Sequence, residues 1–282
     1  MKNNKTIWAL FVMVLMVVAS CEKTEDINSS DAVELPPMES FALDLDDFLT
    51  DPAESGKSNL TAKTGNNWIY PRVVVGFWNT ALFTTLAVPV ASFRSAFAHK
   101  PVAIADNIWQ WTYTVDGFTG QYSARLTGEL RSDQVVWEMY ITRAGIASFD
   151  EFLWFSGVSA RDGSNGEWVL NQSAERPNRM LRINWERENE EIANIRYTWV
   201  RELNDNQETD RFKDSYLEYG LQDSDYNVFY NIRAFDENLE AFVDVNIEWS
   251  RTEYNGRVKS PSYFQDDAWH CWDTLGEDID CN

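Results

Sequence analysis

The feature that most constrains this chain is a two-residue alternation of apolar and polar side chains, which begins at Asn107 and recurs toward the C-terminus. In the stretch "NIWQWTYTV", Trp109, Trp111 and Tyr113 fall on one face of an extended backbone. Because successive side chains of a β-strand point to opposite faces of the sheet, the pattern predicts strands that are buried on one face. The same alternation occurs at 107–115, 134–142, 178–186, 193–200 and 241–249.

Shorter apolar runs bounded by turn residues predict further strands near 119–130, 149–159, 166–173, 215–222 and 226–235. The connections between strands have hairpin length, and no helical pattern separates them, so we expect an antiparallel meander and no parallel βαβ units. About ten such strands, each with one apolar face, must curl or close to cover that face. The sequence therefore predicts a mainly β fold: a meander curled into a half-open barrel or clam.

The segment 68–98 is apolar without this alternation, and its 21 residues from Val73 to Phe93 carry no charge. That length is sufficient for a membrane-spanning helix, and this alternative stays open. Pro71 and Pro89 each suit the first turn of a helix, and Pro89 is expected to interrupt a single span. We therefore predict two consecutive helices, 70–86 and 89–98, packed in the concave face of the sheet and covered by protein on most sides.

The N-terminus has the three parts of an export signal. Lys2 and Lys5 form a positive region, twelve apolar residues follow at 7–18, and small residues precede Cys21. The stretch "VASC" resembles the lipobox that the lipoprotein signal peptidase cleaves. This resemblance implies that residues 1–20 are removed and that Cys21 carries a thioether-linked diacylglyceryl group and an acylated amine, which together anchor the chain in a membrane. An ordinary secretory signal with a chance cysteine is the alternative.

The two remaining cysteines, Cys271 and Cys281, form an even pair in an exported chain and predict a disulfide that closes a C-terminal loop. We divide the mature chain into two parts. Residues 21–66 are a lipidated tether with a short packing segment at 35–48, and residues 67–282 are the β domain.

The charge is strongly acidic. Removal of residues 1–20 takes away Lys2 and Lys5 but no acid, so the formal charge changes from −21 to −23. Such a charge is expected to repel nucleic acid and anionic lipid, and we predict no nucleic-acid partner. Solubility alone is the simplest reading of this acidity.

No catalytic motif is found: the chain has two histidines, His99 and His270, and no nucleophile elbow, zinc-protease helix or phosphate-binding loop. We therefore predict no catalytic residues, no metal and no cofactor, and leave enzymatic activity undecided, with the balance against it. Glu138, Glu186 and Glu248 lie in predicted strands and leave open a glycosidase carboxylate pair. Cross-strand ion pairs with arginines on a wet outer face are the simpler explanation.

The tail offers one ligand-binding candidate. Trp269 and Trp272 bracket Cys271 in a polar stretch, and we expect them to be exposed, where indole rings can stack on sugars. The alternative is that the pair covers the edge of the sheet.

The mature chain resembles a family of Bacteroidota surface lipoproteins without an assigned activity, through "LPPMESFALDLDDF" (35–48), "DGSNGEWVL" (162–170) and the ending "HCWD…C" (270–281). The acidic start "CEKTED" resembles the surface-export signal of that group, which implies display on the outer membrane. Lys23 and Thr24 depart from its strongest form, so a periplasmic face stays open.

From the anchor, the β fold and the lack of a catalytic motif in the sequence we predict a non-enzymatic binding or interaction domain on the outer membrane, with a glycan, a lipid or an envelope protein as its partner. The alternatives are a carrier of lipid or another hydrophobic ligand, and a glycan-binding or glycan-hydrolysing protein.

Overall fold

A computed structural model describes residues 32–42, 46–49, 65–117, 120–145 and 147–281. Cys21 and the predicted signal at 1–20 lie outside these residues. The described chain forms one antiparallel sheet in which fourteen strands follow one another in sequence order, with β1 and β14 as its two edges. The predicted mainly β meander is confirmed, and the sheet is curled but not closed.

The first seven strands are β1 (Val102–Ala105), β2 (Ile108–Gly117), β3 (Gly120–Arg131), β4 (Gln134–Arg143), β5 (Phe149–Ala160), β6 (Asn165–Ser173) and β7 (Arg176–Glu188). The last seven are β8 (Glu191–Trp199), β9 (Tyr216–Leu221), β10 (Val228–Asp236), β11 (Ala241–Trp249), β12 (Gly256–Lys259), β13 (His270–Trp272) and β14 (Asp278–Ile279). The ten predicted strands correspond to β2 through β11. The four strands that the sequence did not predict are short and lie at the two ends of the sheet, where alternation has too few residues to be recognised.

The concave face of the sheet holds the core. The alternating apolar residues of the predicted strands are buried there, among them Trp111, Trp137 and Trp185. Four strand glycines make room for tryptophan rings, because a Cβ at any of the four would approach the tryptophan on the neighbouring strand to within 3 Å. The cross-strand pairs are Gly128–Trp137, Gly157–Trp168, Gly166–Trp185 and Gly256–Trp272.

Among the described residues, a 3₁₀ helix (Met38–Ser40) and three α-helices accompany the sheet: α1 (Asp46–Leu49), α2 (Asn66–Ala96) and α3 (Pro261–Phe264). The prediction of two consecutive helices within 70–98 is wrong, because α2 is one continuous helix of 31 residues that contains both Pro71 and Pro89. A proline inside a helix removes one backbone hydrogen bond. Leu86, Pro89 and Phe93 are all buried and continue one face of the helix across that point, so packing on the sheet outweighs the lost bond.

The helix α2 contacts strands near both edges of the sheet, β2 and β3 on one side and β12, β13 and β14 on the other. Phe93 also reaches the middle of the sheet, where its ring lies 5.4 Å from Trp168. The described part of the packing segment 35–48 adds two buried rings. Phe41 packs against Phe155 and Phe48 packs against Trp249, with ring centroids 4.6 Å and 5.1 Å apart. Helix and segment together pack on the concave face.

Candidate functional site

The helix α2 carries two rows of apolar side chains, of which one is buried and the other is exposed. The inner row recurs every three or four residues, which is the spacing of one helical face, and it is buried against the sheet. Its members are Trp68, Pro71, Val75, Trp78, Leu82, Leu86, Pro89, Phe93 and Ala96. This row accounts for the attachment of the helix to the β domain.

The outer row faces away from the sheet and consists of four large apolar residues, with exposed Thr80 and Thr84 between and beside them. Ile69, Val73, Phe77 and Phe83 have 42%, 64%, 70% and 67% of their surface exposed. The expectation that protein covers the helix on most sides is therefore wrong, since the sheet covers one face. Within the most apolar 18-residue window, 28% of the residues are buried. Helix α2 meets the length and composition expected of a membrane span, as some core helices of globular proteins also do.

The N-terminal end of α2 is held by the C-terminal tail. The carboxylate of Asp278 accepts hydrogen bonds from the backbone N–H of Asn66 at 3.1 Å and of Asn67 at 2.8 Å. These amides belong to the first turn, where backbone N–H groups have no partner within the helix. The negative charge of the carboxylate is also attracted by the positive end of the helix dipole. The side chain of Asn67 donates to the Cys271 carbonyl at 2.8 Å. The predicted disulfide between Cys271 and Cys281 is present and closes this tail.

The C-terminal end of α2 is held by strand β2. The hydroxyl of Tyr113 donates to the Ser92 carbonyl at 2.6 Å, and both residues are buried. Burial raises the pKa of the Tyr113 hydroxyl well above its ordinary value, because the charged phenolate loses its hydration. The imidazole of His99 stacks on the Tyr113 ring at 4.9 Å. With both ends fixed, the outer row is presented on a rigid support.

The sequence segment that contains α2 differs in charge from the rest of the chain. Residues 55–105 contain no Asp or Glu, although the chain has 45 acidic residues. The same stretch has five basic residues: Lys57, Lys63, Arg72, Arg94 and Lys100. Arg94 and Lys100 are exposed near the end of the helix. The outer row therefore lies in a segment with positive charge, on a protein that is otherwise acidic.

The two tail tryptophans lie in different surroundings. Trp269 is half-buried, and the guanidinium of Arg257 lies 4.4 Å from its ring centroid. The expectation that Trp272 is exposed is wrong, because only 1% of its surface is accessible. Its indole N–H donates to the Tyr254 carbonyl at 2.8 Å, and its ring packs 5.5 Å from Trp68 of α2. Trp272 therefore packs against α2 and is part of the core. A ligand-binding role for Trp269 stays a prediction.

The strand carboxylates lie on the outer face of the sheet. Glu248 pairs with Arg257 at 2.6 Å, Glu138 accepts a hydrogen bond from Tyr140, and Glu186 is exposed. In the described part of the chain, the carboxyl groups whose pKa departs from its ordinary value are all lowered: Glu129, Asp162, Asp205, Asp210 and Asp266. A general acid needs the opposite shift, so none of these groups resembles one.

Asp210 is the buried member of that set. Loss of hydration acts to raise its pKa, but hydrogen bonds from Arg201 and from the Trp199 indole at 3.1 Å outweigh this effect and hold the pKa below its ordinary value. The three side chains fix the connection between β8 and β9. The three side chains have a structural role, because the Asp210 carboxylate is surrounded by the groups that bond to it and is not open to a ligand.

The tail acids and His270 also pair with neighbours. The Nε2 atom of His270 lies 3.0 Å from Asp266, its ring stacks on Phe264, and Asp267 pairs with Lys259 at 2.8 Å. Among the residues that the structure describes, no group of three histidine, cysteine or acidic side chains has the arrangement of a metal site.

A cleft of about 260 Å³ lies where the N-terminal segment passes the turn between β7 and β8. Two arginines and three glutamates line it together with Pro37, Ile192 and Tyr219: Arg187, Arg251, Glu39, Glu190 and Glu191. The mixture of charges does not favour an anion or a cation. Its residues are scattered along the sequence, and no motif indicated them in advance.

The sequence matches no protein-family model, and no curated protein and no solved structure is significantly similar to it. The resemblance to Bacteroidota surface lipoproteins therefore stays a prediction, as does the function drawn from it. The outer row of α2 was also missed at the level of the sequence. The interleaving of two apolar rows within an acid-free stretch is the signal that could have indicated it.

Proposed function

We propose that the chain is a cell-envelope lipoprotein, anchored to the outer membrane through Cys21, whose β domain is a non-enzymatic binding and interaction module. The observation that carries this proposal is the exposed apolar row of α2, on a domain whose concave face already holds the inner row of that helix. Soluble monomers rarely expose contiguous apolar patches larger than a few hundred Å², and larger patches mark sites of interaction.

The carboxylates support the non-enzymatic reading. Glycoside hydrolysis needs two carboxyl groups about 5–9 Å apart across a cleft, one with a raised pKa. Glu138 and Glu248 instead lie on the outer face with partners of their own, at Tyr140 and Arg257. Binding is therefore favoured over catalysis.

The filled concave face also favours an interaction module over a carrier. A carrier of hydrophobic ligands needs an apolar cavity of several hundred Å³. Phe41, Phe48 and the inner row of α2 occupy the concave face, where such a ligand would lie. Native mass spectrometry of the whole protein from a membrane extract tests the carrier: a stoichiometric lipid that survives detergent exchange would favour it.

The anchor is tested by expressing the full chain in a bacterium that processes lipoproteins and determining the mass of the N-terminal peptide. The expected peptide begins at Cys21 and carries the acyl groups, and the protein partitions with membranes. Cys21→Ser is expected to abolish both properties. The matched control is Cys271→Ser with Cys281→Ser, which removes the other two cysteines and their disulfide and should leave the anchor intact. An N-terminal peptide with residues 1–20 still present and Cys21 unmodified would contradict the proposal.

A further inference from the structure

We infer that the outer row of helix α2 is a lipid-docking surface, which lies flat on the membrane that holds the anchor. This inference rests on the proposed function and names the partner of the interaction surface. It assigns one occupant, the lipid surface, to the residues Ile69, Val73, Phe77 and Phe83.

The shape of the surface suits a bilayer. With 31 residues, α2 is about 46 Å long. An amphipathic helix at an interface lies parallel to the membrane and buries its apolar side about 5–10 Å into the boundary between headgroups and acyl chains. The opposite side of such a helix normally faces water, whereas in α2 that side packs on the sheet. The exposed side presents Val73 and Phe77 one turn apart, and Phe83 and Phe97 extend the apolar surface toward the other end.

The distribution of charge orients the molecule. The overall charge of −21 describes the chain as a whole, and it predicts repulsion from anionic lipid if the charge is spread evenly. The charge is not spread evenly, since the described residues 65–105 contain three basic residues, Arg72, Arg94 and Lys100, and no acid. An anionic surface therefore attracts this segment and repels the acidic body behind it, which turns α2 toward the membrane.

Two acidic groups, Asp278 and Asp236, lie near the N-terminal end of the helix. Asp278 is bonded to the first-turn amides of Asn66 and Asn67, where the helix dipole offsets its charge. Asp236 is close enough to Tyr70 to contribute to the raised pKa of that hydroxyl, after loss of hydration as the main cause. Both contacts are at the start of α2, whereas the exposed bases Arg94 and Lys100 are at its end.

The anchor supplies proximity. A chain spans at most about 3.6 Å per residue, so the eleven residues from Cys21 to Ala32 reach at most about 40 Å. A domain held at this distance experiences a high effective concentration of lipid surface, and a weak affinity of the helix is sufficient for docking. A second copy of the chain is a less favourable occupant, because two bodies with the same large negative charge repel each other.

The experiment uses the mature lipidated protein in vesicles of phosphatidylcholine and phosphatidylglycerol in equal parts. Phe77→Cys provides a single reactive thiol, because Cys21 carries lipid in the proposed form and Cys271 is bonded to Cys281. An environment-sensitive dye on this thiol is compared with the same dye at Glu186→Cys, an exposed position on the outer face of the sheet. Melting curves of both labelled proteins establish that the fold is intact.

We expect the dye at position 77 to emit at shorter wavelength and to be quenched by brominated lipid about two-fold or more above the dye at position 186. Replacement of Arg94 and Lys100 by glutamine should reduce this quenching in the anionic vesicles and leave it unchanged in pure phosphatidylcholine. Equal, weak quenching at both positions in protein that floats with the vesicles would overturn the inference and leave the anchor standing. Quenching that disappears when the protein is diluted to less than one copy per vesicle would overturn it in favour of a second copy. Failure of the protein to float would instead refute the anchor, and with it the proposed function.

Discussion

Phe77 and Phe93 have the same side chain and lie on the same helix, yet Phe77 is 70% exposed and Phe93 is completely buried. The inner row to which Phe93 belongs packs on the sheet, whereas the outer row of Phe77 has no sheet beside it. Apolar composition therefore does not distinguish the part of α2 that stabilises the fold from the part that is available to a partner. The position of the sheet makes that distinction.

The largest expected effect comes from this matched pair. Phe93→Ala removes a ring that packs against Phe41, Phe155 and Trp168, and it should lower the free energy of unfolding by about 3–5 kcal/mol. Phe77→Ala should change it by about 0.5 kcal/mol or less. Chemical denaturation of both variants measures the difference. Equal losses would show that the two rows are packed alike and would break the comparison.

The disulfide sharpens the comparison because it closes the tail that holds the inner side of α2. Replacing Cys271 and Cys281 by serine opens a loop with a sequence separation of 10 residues. The expected loss of stability is about 3 kcal/mol, since the unfolded chain gains freedom. Denaturation under non-reducing conditions measures it, and dye emission at position 77 should not change in the folded variant. An unchanged midpoint would mean that the tail does not support the fold.

Alkaline pH tests the contact at the other end of the helix. The pKa of Tyr113 is raised in the folded state, so above its ordinary value of about 10 the unfolded chain loses a proton that the folded chain keeps. Stability from this group is present below pH 10 and falls by about 1.4 kcal/mol for each pH unit above it. Tyr113→Phe should lose about 1 kcal/mol at neutral pH and lack this part of the slope. Parallel curves of stability against pH for the two proteins would contradict the assignment.

The smallest expected effect is at the first turn. Asp278→Ala leaves the backbone N–H groups of Asn66 and Asn67 without the carboxylate, and it should reduce stability by about 1 kcal/mol. Asp280→Ala is the control, because it removes the same charge from an exposed position in the same tail. Thermal unfolding in low salt distinguishes the two variants. A loss of the same size in both would assign the effect to net charge.

The strands of the fold could be predicted because burial on one face imposes a local period of two, which the sequence displays directly. The single helix could not, because Pro89 indicates a break on local grounds and the packing of Leu86 and Phe93 that overrides it is a tertiary effect. The exposure of Trp272 was wrongly predicted for the same reason. Its polar neighbours in the sequence gave no sign of Trp68, which covers it from a distant segment.

The candidate site was only partly predictable. The disulfide could be predicted because two cysteines remain once Cys21 is assigned to the proposed anchor, and such a pair is expected to be oxidised outside the cytoplasm. The outer row could not be predicted, because a helix that is apolar on both sides does not indicate which side the sheet will cover. Asp278, which holds the start of α2, lies more than 200 residues from it in the chain, and no local pattern connects them.

The most direct test of the two-row account is an accessibility scan of α2 in the lipidated protein bound to vesicles. Spin labels are placed singly at positions from 69 to 97, and their collision rates with dissolved oxygen and with a water-soluble nickel reagent are measured. The account predicts a ratio of oxygen to nickel collisions that oscillates with the helical period, with maxima at 69, 73, 77 and 83 and minima along the inner row. Collision rates at positions 69, 73, 77 and 83 that are higher with the nickel reagent than with oxygen would contradict it.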